Sequence, residues 1–596
     1  MKLSRRPALA FATLATTGAL LLSACTSDAA DAESTDSASD VTTSESSTET
    51  VASATANGEA SYEQLDLPEV DLSPDYANAT TVTLADGASG SDGDGVAISG
   101  DMVTITEAGT YVLTGTLTQG QIVVNVADGD VTLVLDDATI ANVDAPAIQV
   151  DDADNVVLYT EAGTTSTVTD SGTYDDTDEE TGNAAIFSTA DLFLAGEGTL
   201  IVDGGRNDGI TSKDSLVIVS GTYDVTAADD GIRGKDSFVV LDGDVTVDAA
   251  GDALKSDNEA DADEPEAYVG VIWIEDGTFD ITSGVDGLDA ANQITINGGS
   301  LAIDAGDDGL TSGVFVRIGD TEIDITNSYE GIEGALIYLD AGDVTVVSSD
   351  DGINGTDGSG SGGEMGGMGG DMGGGMSGGP GGGAGGPGSR DSSDTSTAED
   401  ASTAAATASF STAALISSAS TTTAAMGGDS AQEGVEVYIS GGTYVLDADG
   451  DGLDSNGNVV MTGGTVIVNG PEGNGNGALD FNGTFEITGG SLAASGSAGM
   501  AQSPSGGDQG YLSMSFGSTV PVGTVLSIVD PEGELVASFT TTKSSASLVI
   551  STEAIVPGET YTVYADATVT GGETVDGLTV GGTLSGGDEL GTLSAS

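Results

Sequence analysis

The chain has 596 residues, of which 97 are acidic and 11 basic, with no histidine and a single cysteine, Cys25. Without histidine there is no Ser-His-Asp or Cys-His catalytic apparatus. One cysteine excludes internal disulfides and zinc, haem or iron–sulfur sites with their usual ligands. The formal net charge of -86 argues against a nucleic-acid partner. Any metal site must therefore be built from oxygen ligands, which favours calcium, with magnesium second.

The N-terminus has the layout of a secretory signal. Lys2, Arg5 and Arg6 precede an apolar run that ends in Leu22-Ser23-Ala24-Cys25, with small residues before the expected cleavage point. This ending resembles the lipobox of bacterial lipoproteins, in which the cysteine is lipidated and becomes the new N-terminus. An ordinary signal peptide with a chance cysteine is the alternative. We predict a signal peptide at residues 1–24 and lipidation of Cys25, which attaches the protein to the extracellular face of the cell membrane through its lipid anchor only.

Two segments of different composition follow the cysteine. Residues 25–60 are rich in Ser, Thr, Ala, Asp and Glu and contain almost no large apolar residue. They cannot bury a core, which predicts a disordered tether. Residues 61–356 contain short apolar runs such as 123–126 and 192–194. We interpret them as an N-terminal cap followed by the body of the fold.

The body of the chain contains an acidic residue, a glycine and an aliphatic residue, repeated at steps of about 22 residues. Two steps are longer, and both contain an insertion, at residues 258–266 and in the low-complexity stretch 357–432. A second ladder of alternating apolar residues, such as Tyr223 and Val225, runs in step with the first. The repeats begin at Asp208, Asp230, Asp252 (followed by alanine), Asp286, Asp308, Glu330, Asp351 and Asp451.

This period, with about three short strands per repeat, is typical of a parallel β-helix. Each coil pairs with the coils above and below it, and equivalent positions stack about 4.8 Å apart. A WD40-type propeller would need repeats of about 40 residues, and a β-sandwich would not show this register. The predicted fold is all-β, a single-stranded right-handed parallel β-helix, with aliphatic columns inside and the Asp-Gly column at one corner.

The aspartate column has two interpretations. Asp-Gly suits tight turns, but asparagine would turn as well, and carboxylates stacked about 4.8 Å apart repel by roughly 0.9 kcal/mol in water and more near a protein surface. Calcium, which takes about six to eight oxygen ligands, would relieve that repulsion. Solvated acidity without metal is the alternative. The candidate metal ligands are Asp208, Asp229, Asp230, Asp252, Asp257, Asn258, Asp286, Asp307, Asp308, Asp351 and Asp451.

Three segments carry a resemblance to a known family. They are Asp-Asp-Gly-Ile-Arg-Gly-Lys-Asp at 229–236, Gly-Asp-Ala-Leu-Lys-Ser-Asp-Asn at 251–258 and Val-Gly-Val-Ile-Trp-Ile-Glu-Asp-Gly-Thr-Phe at 269–279. They are similar to a calcium-binding, carbohydrate-binding β-helix family, whose fold resembles that of pectate lyases and which binds cellulose and acidic plant polysaccharide. The resemblance covers roughly residues 100–505. It implies a non-catalytic polysaccharide-binding protein with calcium held between coils.

Basic residues cluster beside the acidic column at Arg206, Lys213, Arg233, Lys235 and Lys255. They could supply a lyase base, clamp uronate carboxylates or compensate the acidic charge. We take Lys213, Arg233, Lys235 and Lys255 as candidate carbohydrate-binding residues of a monomeric, non-catalytic binder. A calcium-dependent polysaccharide lyase and a structural surface protein or adhesin remain alternatives. The single tryptophan, Trp273, alternates like a core residue, so aromatic side chains for stacking on sugars are scarce.

Two further segments complete the chain. Residues 357–432 are Gly- and Met-rich and then Ser/Thr/Ala-rich, which predicts a disordered insertion; a copper-binding methionine cluster is the other interpretation. The last coils are expected at 433–507. From residue 508 to 596 the register is lost, and short alternating strands predict a small antiparallel β-unit that caps the last coil.

Overall fold

In a computed structural model of the chain, the structure describes residues 59–172, 182–259, 268–358, 416–418 (backbone only) and 430–596. These residues contain strands, turns and one 3-10 turn, Tyr62–Leu65. No helix within them is long and apolar enough to cross a membrane. The predicted signal peptide, Cys25 and most of the predicted insertion lie outside the described residues.

Most strands form three stacks, and the coils from Ile148–Asp152 to Leu479–Phe481 each contribute one strand to each stack. We call the stacks sheets 1, 2 and 3 in the order in which a coil passes through them. In the first coils, the long strands Gly109–Leu117 and Val131–Asn142 instead run through sheets 2 and 3. Sheet 1 consists of Val96–Ser99, Met102–Ile105, Gln121–Asn125, Ile148–Asp152, Ala184–Ser188, Asp208–Ser212, Ile232–Gly234, Leu254–Ser256, Leu288–Ala290, Leu310–Ser312, Ile332–Gly334, Ile353–Gly355, Leu453–Ser455 and Leu479–Phe481. Sheet 2 consists of Asn155–Thr160, Asp191–Gly196, Ser215–Ile218, Ser237–Val240, Val271–Ile274, Gln293–Ile296, Phe315–Ile318, Leu336–Leu339, Glu436–Ile439, Asn458–Met461 and Phe485–Ile487. Sheet 3 consists of Thr80–Ala85, Gly109–Leu117, Val131–Asn142, Thr165–Asp170, Thr199–Gly204, Thr222–Ala227, Asp244–Ala249, Thr278–Ser283, Ser300–Asp304, Glu322–Asn327, Asp343–Ser348, Thr443–Ala448, Thr465–Asn469 and Ser491–Gly496.

The stacks keep the register that the sequence repeat predicts. Ile232 pairs in parallel with Ile210 of the preceding coil and with Leu254 of the following one. The stack is also continuous across both long steps, because Leu254 pairs with Leu288 and Ile353 with Leu453. The predicted parallel β-helix is therefore confirmed.

Alternation along each strand separates the core from the solvent. In Thr222–Ala227, Tyr223 and Val225 are buried and Asp224 between them is exposed. The inward residues of all three sheets join in one apolar core that runs the length of the helix. Each fully buried aliphatic or aromatic side chain of this kind stabilises the fold by roughly 1.5–3 kcal/mol.

The residues before the first coil pack against the outer face of sheet 2, and we call residues 59–72 the N-terminal strap. The backbone N–H of Ala60 donates to Gln293 Oε1 (2.7 Å), and Gln293 Nε2 donates to the Ala60 carbonyl (3.1 Å). The ring of Tyr62 lies 5.8 Å from that of Trp273. Trp273 is only 8% exposed, as expected of a core residue, but it belongs to a second apolar cluster outside the β-helix, between sheet 2 and the strap.

The C-terminal unit continues the β-helix at its last coil. Ser491–Gly496 pairs antiparallel with Ser545–Ser551, which also pairs with Tyr511–Val520. This covers the free edge of sheet 3, which would otherwise be open to pairing with another chain. Ile416–Ser418, from the predicted insertion, pairs antiparallel with Tyr511–Val520. The other strands of the C-terminal unit are Val525–Val529, Leu535–Thr540, Thr560–Ala565, Thr568–Thr570, Glu573–Val575, Leu578–Val580, Thr583–Ser585 and Asp588–Ser594. At the other end of the molecule, a short edge strand, Gly90–Ser91, pairs with Thr80–Ala85.

Candidate metal centre

Two parallel columns of side chains run along sheet 1. The first, the corner column, contains the acidic residue of each Asp-Gly repeat, from Asp208 to Asp451. The second, the strand column, lies three residues further along each coil, where the strand turns its side chain away from the core. The register places its members in one line: Thr211, Arg233, Lys255, Asp289, Thr311, Glu333, Asn354, Asp454 and Asp480.

The corner column is joined by hydrogen bonds from one coil to the next. The backbone N–H of Asp286 donates to Asp252 Oδ1 (2.9 Å), that of Asp308 to Asp286 Oδ1 (2.9 Å) and that of Glu330 to Asp308 Oδ1 (3.0 Å). Each carboxylate therefore satisfies one backbone donor of the next coil. An asparagine oxygen could do the same, so this ladder explains a polar side chain but not its charge.

The glycine that follows all but one of these acids is favoured by the close approach of the next coil; Asp252 is followed by Ala253. A Cβ on Gly309 would lie 2.6 Å from the Gly331 carbonyl oxygen and 2.6 Å from Ile325 Cδ1. Both distances are well below the ordinary carbon contact of about 3.5–4.0 Å. The Asp-Gly signature thus records tight coil packing as well as turn chemistry.

Burial and stacking make ionisation of the corner column unfavourable. Burial, followed by the charge of a neighbouring carboxylate, raises the pKa of Asp286, of Asp308 and of Asp351 to about 8 in each case. Burial and the contact with Glu333 raise the pKa of Glu330 to about 9. These carboxylates lack a compensating positive charge, and a cation among them would remove the free-energy cost of ionising them.

Two of the chain's own cations lie in the first half of the columns, which comprises the coils that begin with Asp208, Asp230 and Asp252. Lys255 Nζ forms ion pairs with three carboxylates from successive coils, those of Asp252, Asp289 (3.4 Å) and Asp230 (3.5 Å). Arg233 Nε donates to Asp257 Oδ1 (3.0 Å). Both basic residues belong to the strand column and lie next to the acids of the corner column.

No basic side chain occupies the described part of the strand column after Lys255. Here the oxygens of Asp308, Glu330 and Glu333 lie within 4.8 Å of one another. An equivalent triad of Asp252, Asp286 and Asp289 lies at Lys255 itself, which pairs with two of its acids. Asn354 Nδ2 donates to Glu330 Oε2 (2.8 Å), while its Oδ1 is buried without a hydrogen-bond partner. An oxygen-rich site with an unsatisfied acceptor has the donor set of a divalent-cation site.

The remaining predicted metal ligands lie around these columns. Asp229 is exposed and Asp307 half-buried on the solvent side of the corner. Asp257 is paired with Arg233, and Asn258 Nδ2 donates to Asp236 Oδ1 (2.5 Å). Asp257 and Asn258 therefore lie beside the coils that contain Arg233 and Lys255, and not among the acids that follow Lys255.

The four predicted carbohydrate-binding residues separate into two pairs. Arg233 and Lys255 are held in the ion pairs described above. Lys213 and Lys235 follow the sheet 1 strands of successive coils, and together with Arg233 they line a shallow depression that also includes Phe187. Thr211 also lines it, so the depression lies at the start of the strand column.

Sequence reasoning missed the strand column. Asp289, Glu333, Asn354 and Asp454 all occupy the fourth position of the repeat, after the acid, the glycine and the aliphatic residue. Strand alternation sends the aliphatic residue inward and the next residue outward, toward the neighbouring acid. That spacing is a usable signal, whereas the ligands predicted beyond the corner acid, Asp257 and Asn258, come five and six residues after Asp252.

Comparison with known proteins identifies the family. A family model described as "Carbohydrate-binding domain-containing protein" matches residues 99–373. A carbohydrate-binding domain-containing protein of Acetivibrio thermocellus is 37% identical over 232 residues, which are 38% of this chain and 79% of the relative. The chain belongs to this carbohydrate-binding domain family. The range matched to the family contains both acidic triads and all four candidate basic residues, whereas Asp451, Asp454 and the C-terminal unit lie beyond it.

One solved structure is also similar to the chain. It is described as the structure of the polysaccharide lyase-like protein from C. thermocellum, a gadolinium derivative. Its sequence is 26% identical, the match covers 41% of this chain and 96% of that one, and the TM-score is 0.38.

Asp208, at the start of the corner column, allows the electrostatic penalty to be measured. Burial and the charge of Asp230 raise its pKa to about 8, whereas an unfolded aspartate titrates near 4. Protonated Asp208 makes its full contribution to the free energy of unfolding below pH 4, and this contribution is lost as the pH rises to 8. Asp208→Asn keeps an acceptor for the Thr211 hydroxyl (2.8 Å in the wild type) without this loss. The free energy of unfolding of Asp208→Asn, compared with that of wild type, should therefore increase by roughly 1–3 kcal/mol between about pH 5 and about pH 8.

Denaturant titrations of Asp208→Asn and wild type in chelator, at both ends of that pH range, measure the difference. Asp224→Asn, on the exposed face of sheet 3, is the matched control and should show no such growth. A constant gap between Asp208→Asn and wild type would contradict the argument.

Proposed function

We propose that this protein is a cell-surface lipoprotein that binds polysaccharide in a calcium-dependent way and does not cleave it. Carbohydrate binding comes from the family to which the chain belongs. The calcium part of the proposal rests on the triad of Asp308, Glu330 and Glu333. This triad brings three carboxylates of adjacent coils together, with no basic side chain among them.

The residues around this triad fit a calcium ion. Calcium prefers oxygen ligands from carboxylates and amide carbonyls, and Asn354 Oδ1 is a buried acceptor that lacks a partner. Magnesium fits less well because it demands a tighter octahedral geometry, while these ligands are fixed by the stacking of coils. A bound cation would link adjacent coils and offset the burial and the repulsion that together raise the pKa of Asp308 and of Glu330.

Calcium also offers a way for so acidic a protein to approach an acidic sugar chain. The net charge of -86 repels a polyuronate at long range, but salt screens exposed charges over about 8–10 Å. At short range, calcium can bridge protein and uronate carboxylates, and Lys213 and Lys235 add positive charge on the same side of the β-helix, at least three coils before the triad. A neutral glycan such as cellulose would depend on neither contribution.

The ion pairs of the basic residues favour binding over cleavage. A lyase base must be deprotonated to abstract a proton. Although burial alone would lower the pKa of Arg233 and of Lys255, the surrounding carboxylates raise both above their ordinary values. Both side chains therefore stay cationic, which suits charge compensation rather than β-elimination.

Calcium should stabilise the fold through the Asp308 triad. A ligand that binds only the native state adds about 2.7 kcal/mol at a hundredfold excess over its Kd, so chelation should lower the Tm by several degrees and magnesium should restore little of it. Glu333→Gln removes one carboxylate and should lose most of the calcium-induced increase. Glu322→Gln, exposed on sheet 3, is the matched control and should keep it. Identical wild-type melting curves with calcium and with chelator would refute the calcium site.

Binding to polygalacturonate should require calcium and be weakened about tenfold, or about 1.4 kcal/mol, by Lys213→Ala combined with Lys235→Ala. Binding to cellulose should change little. Lys543→Ala removes a lysine that pairs with Asp447 and Asp449 away from sheet 1 and serves as the control. A glycan array with and without calcium measures binding, and the ultraviolet absorbance of unsaturated uronates monitors cleavage.

Two outcomes would overturn the binder proposal. Sustained accumulation of unsaturated product, abolished by changing one of the basic residues, would identify a lyase. Absence of binding to any glycan in calcium would favour a structural surface protein.

The lipoprotein part of the proposal rests on the sequence Leu-Ser-Ala-Cys that ends at Cys25. In the native host, Cys25→Ser should move the protein from the membrane fraction to the soluble or secreted fraction, because lipid attachment provides its membrane affinity. Detergent-phase partitioning checks this, with Ser23→Thr as a control that leaves the cysteine intact. Unchanged partitioning of Cys25→Ser would refute the lipid anchor.

A further inference from the structure

The acidic half of sheet 1 is built on a period of two coils. In one set of four positions the corner column supplies Asp308 and Glu330, and the strand column supplies Thr311 and Glu333. Two coils earlier, the same positions hold Asp252, Asp286, Lys255 and Asp289, because Lys255 pairs with Asp289 and Asp289 with Thr311 in the register of the sheet. The two triads of carboxylates are therefore equivalent, and the fourth position distinguishes them.

We infer that the Lys255 ammonium, which pairs with Asp252 and Asp289, is a built-in cation that takes the place of a metal ion at the triad that these two acids form with Asp286, so that the residue at this strand-column position decides whether a coil pair binds metal. The inference rests on the proposed calcium site at Asp308, Glu330 and Glu333. It concerns the selection of sites along the column, which the proposed function leaves open.

The contacts of Lys255 support this assignment. Its Nζ pairs with Asp252 and lies 3.4 Å from Asp289 Oδ2 and 3.5 Å from Asp230 Oδ2. The Lys255 side chain is 21% exposed and that of Asp252 only 7%, so this charge is held largely out of water. A divalent cation brought to the same carboxylates would meet the ammonium at close range and be repelled by it.

At the equivalent position the second triad has Thr311, which carries no charge. The next set of four, with Asp351 and Asp451 in the corner column and Asp454 in the strand column, has Asn354 there. Lysine thus stands in the first acidic set, while the later sets have a neutral oxygen-bearing residue. The sequence itself therefore provides the substitution that tests the idea, since Lys255→Thr makes the first set resemble the second.

The experiment counts calcium ions bound per chain by equilibrium dialysis and calorimetry, using full-length wild type, Lys255→Thr and the reciprocal Thr311→Lys. Lys255→Thr should bind one calcium more than wild type, and Thr311→Lys one fewer. Lys543→Thr, which removes a lysine paired with exposed acids away from the column, should leave the count unchanged. Circular dichroism with and without calcium reports whether each variant is folded.

The outcomes separate this inference from the proposed function. If wild type binds calcium and neither variant changes the count, the role of Lys255 is refuted and the calcium site stands. If wild type binds none but Lys255→Thr binds one, the calcium function fails while Lys255 is supported. If no protein binds calcium, both fail. A Lys255→Thr variant that folds only when calcium is added also supports the inference, and Thr311→Lys tests it independently if Lys255→Thr fails to fold under either condition.

Discussion

Repulsion between carboxylates that stand one coil apart is the constraint on which the chemistry of sheet 1 depends. A parallel β-helix stacks equivalent residues about 4.8 Å apart, so a repeated acid becomes a column of like charges. The hydrogen-bond ladder of the corner column and the ion pairs of Lys255 follow from that stacking, and the raised pKa of Asp308 follows from its burial together with the neighbouring charge of Glu330. The carboxylates must be protonated, paired with a basic side chain or bound to a cation.

Sheet 3 has a different arrangement of acids. Asp224 pairs with Thr246 of the next coil, and Asp248 of that coil pairs with Thr226 and then with Thr282. Between these coils acids and threonines alternate, so their carboxylates do not stand directly opposite one another, which would be destabilising; further along the sheet a single acid pair, Glu322 and Asp343, does face each other. The same chain stacks acid on acid at the corner of sheet 1. That contrast favours a role for the corner column beyond making the surface acidic.

The fold also limits where sugars can bind. Tyr62 and the rest of the N-terminal strap cover Trp273 and the apolar face of sheet 2, which withdraws the single tryptophan from stacking on a glycan. The basic depression with Lys213 and Lys235 lies instead beside sheet 1. In the proposed function, these lysines and the calcium site lie at different coils of sheet 1, and calcium both links coils and presents positive charge.

The sequence by itself determined the coil register, the inward apolar columns and the corner column of acids. These follow from a fixed repeat, because a parallel β-helix converts equal spacing along the chain into direct contact. The pairing of Ile353 with Leu453 across a long insertion follows from the same rule. Only the tertiary structure brought Lys255 among three carboxylates, joined Glu333 to Asp308 and placed Trp273 beneath the strap. Those contacts depend on which way side chains turn at a corner and on how the N-terminal segment folds back. Neither is encoded in the period of the repeat.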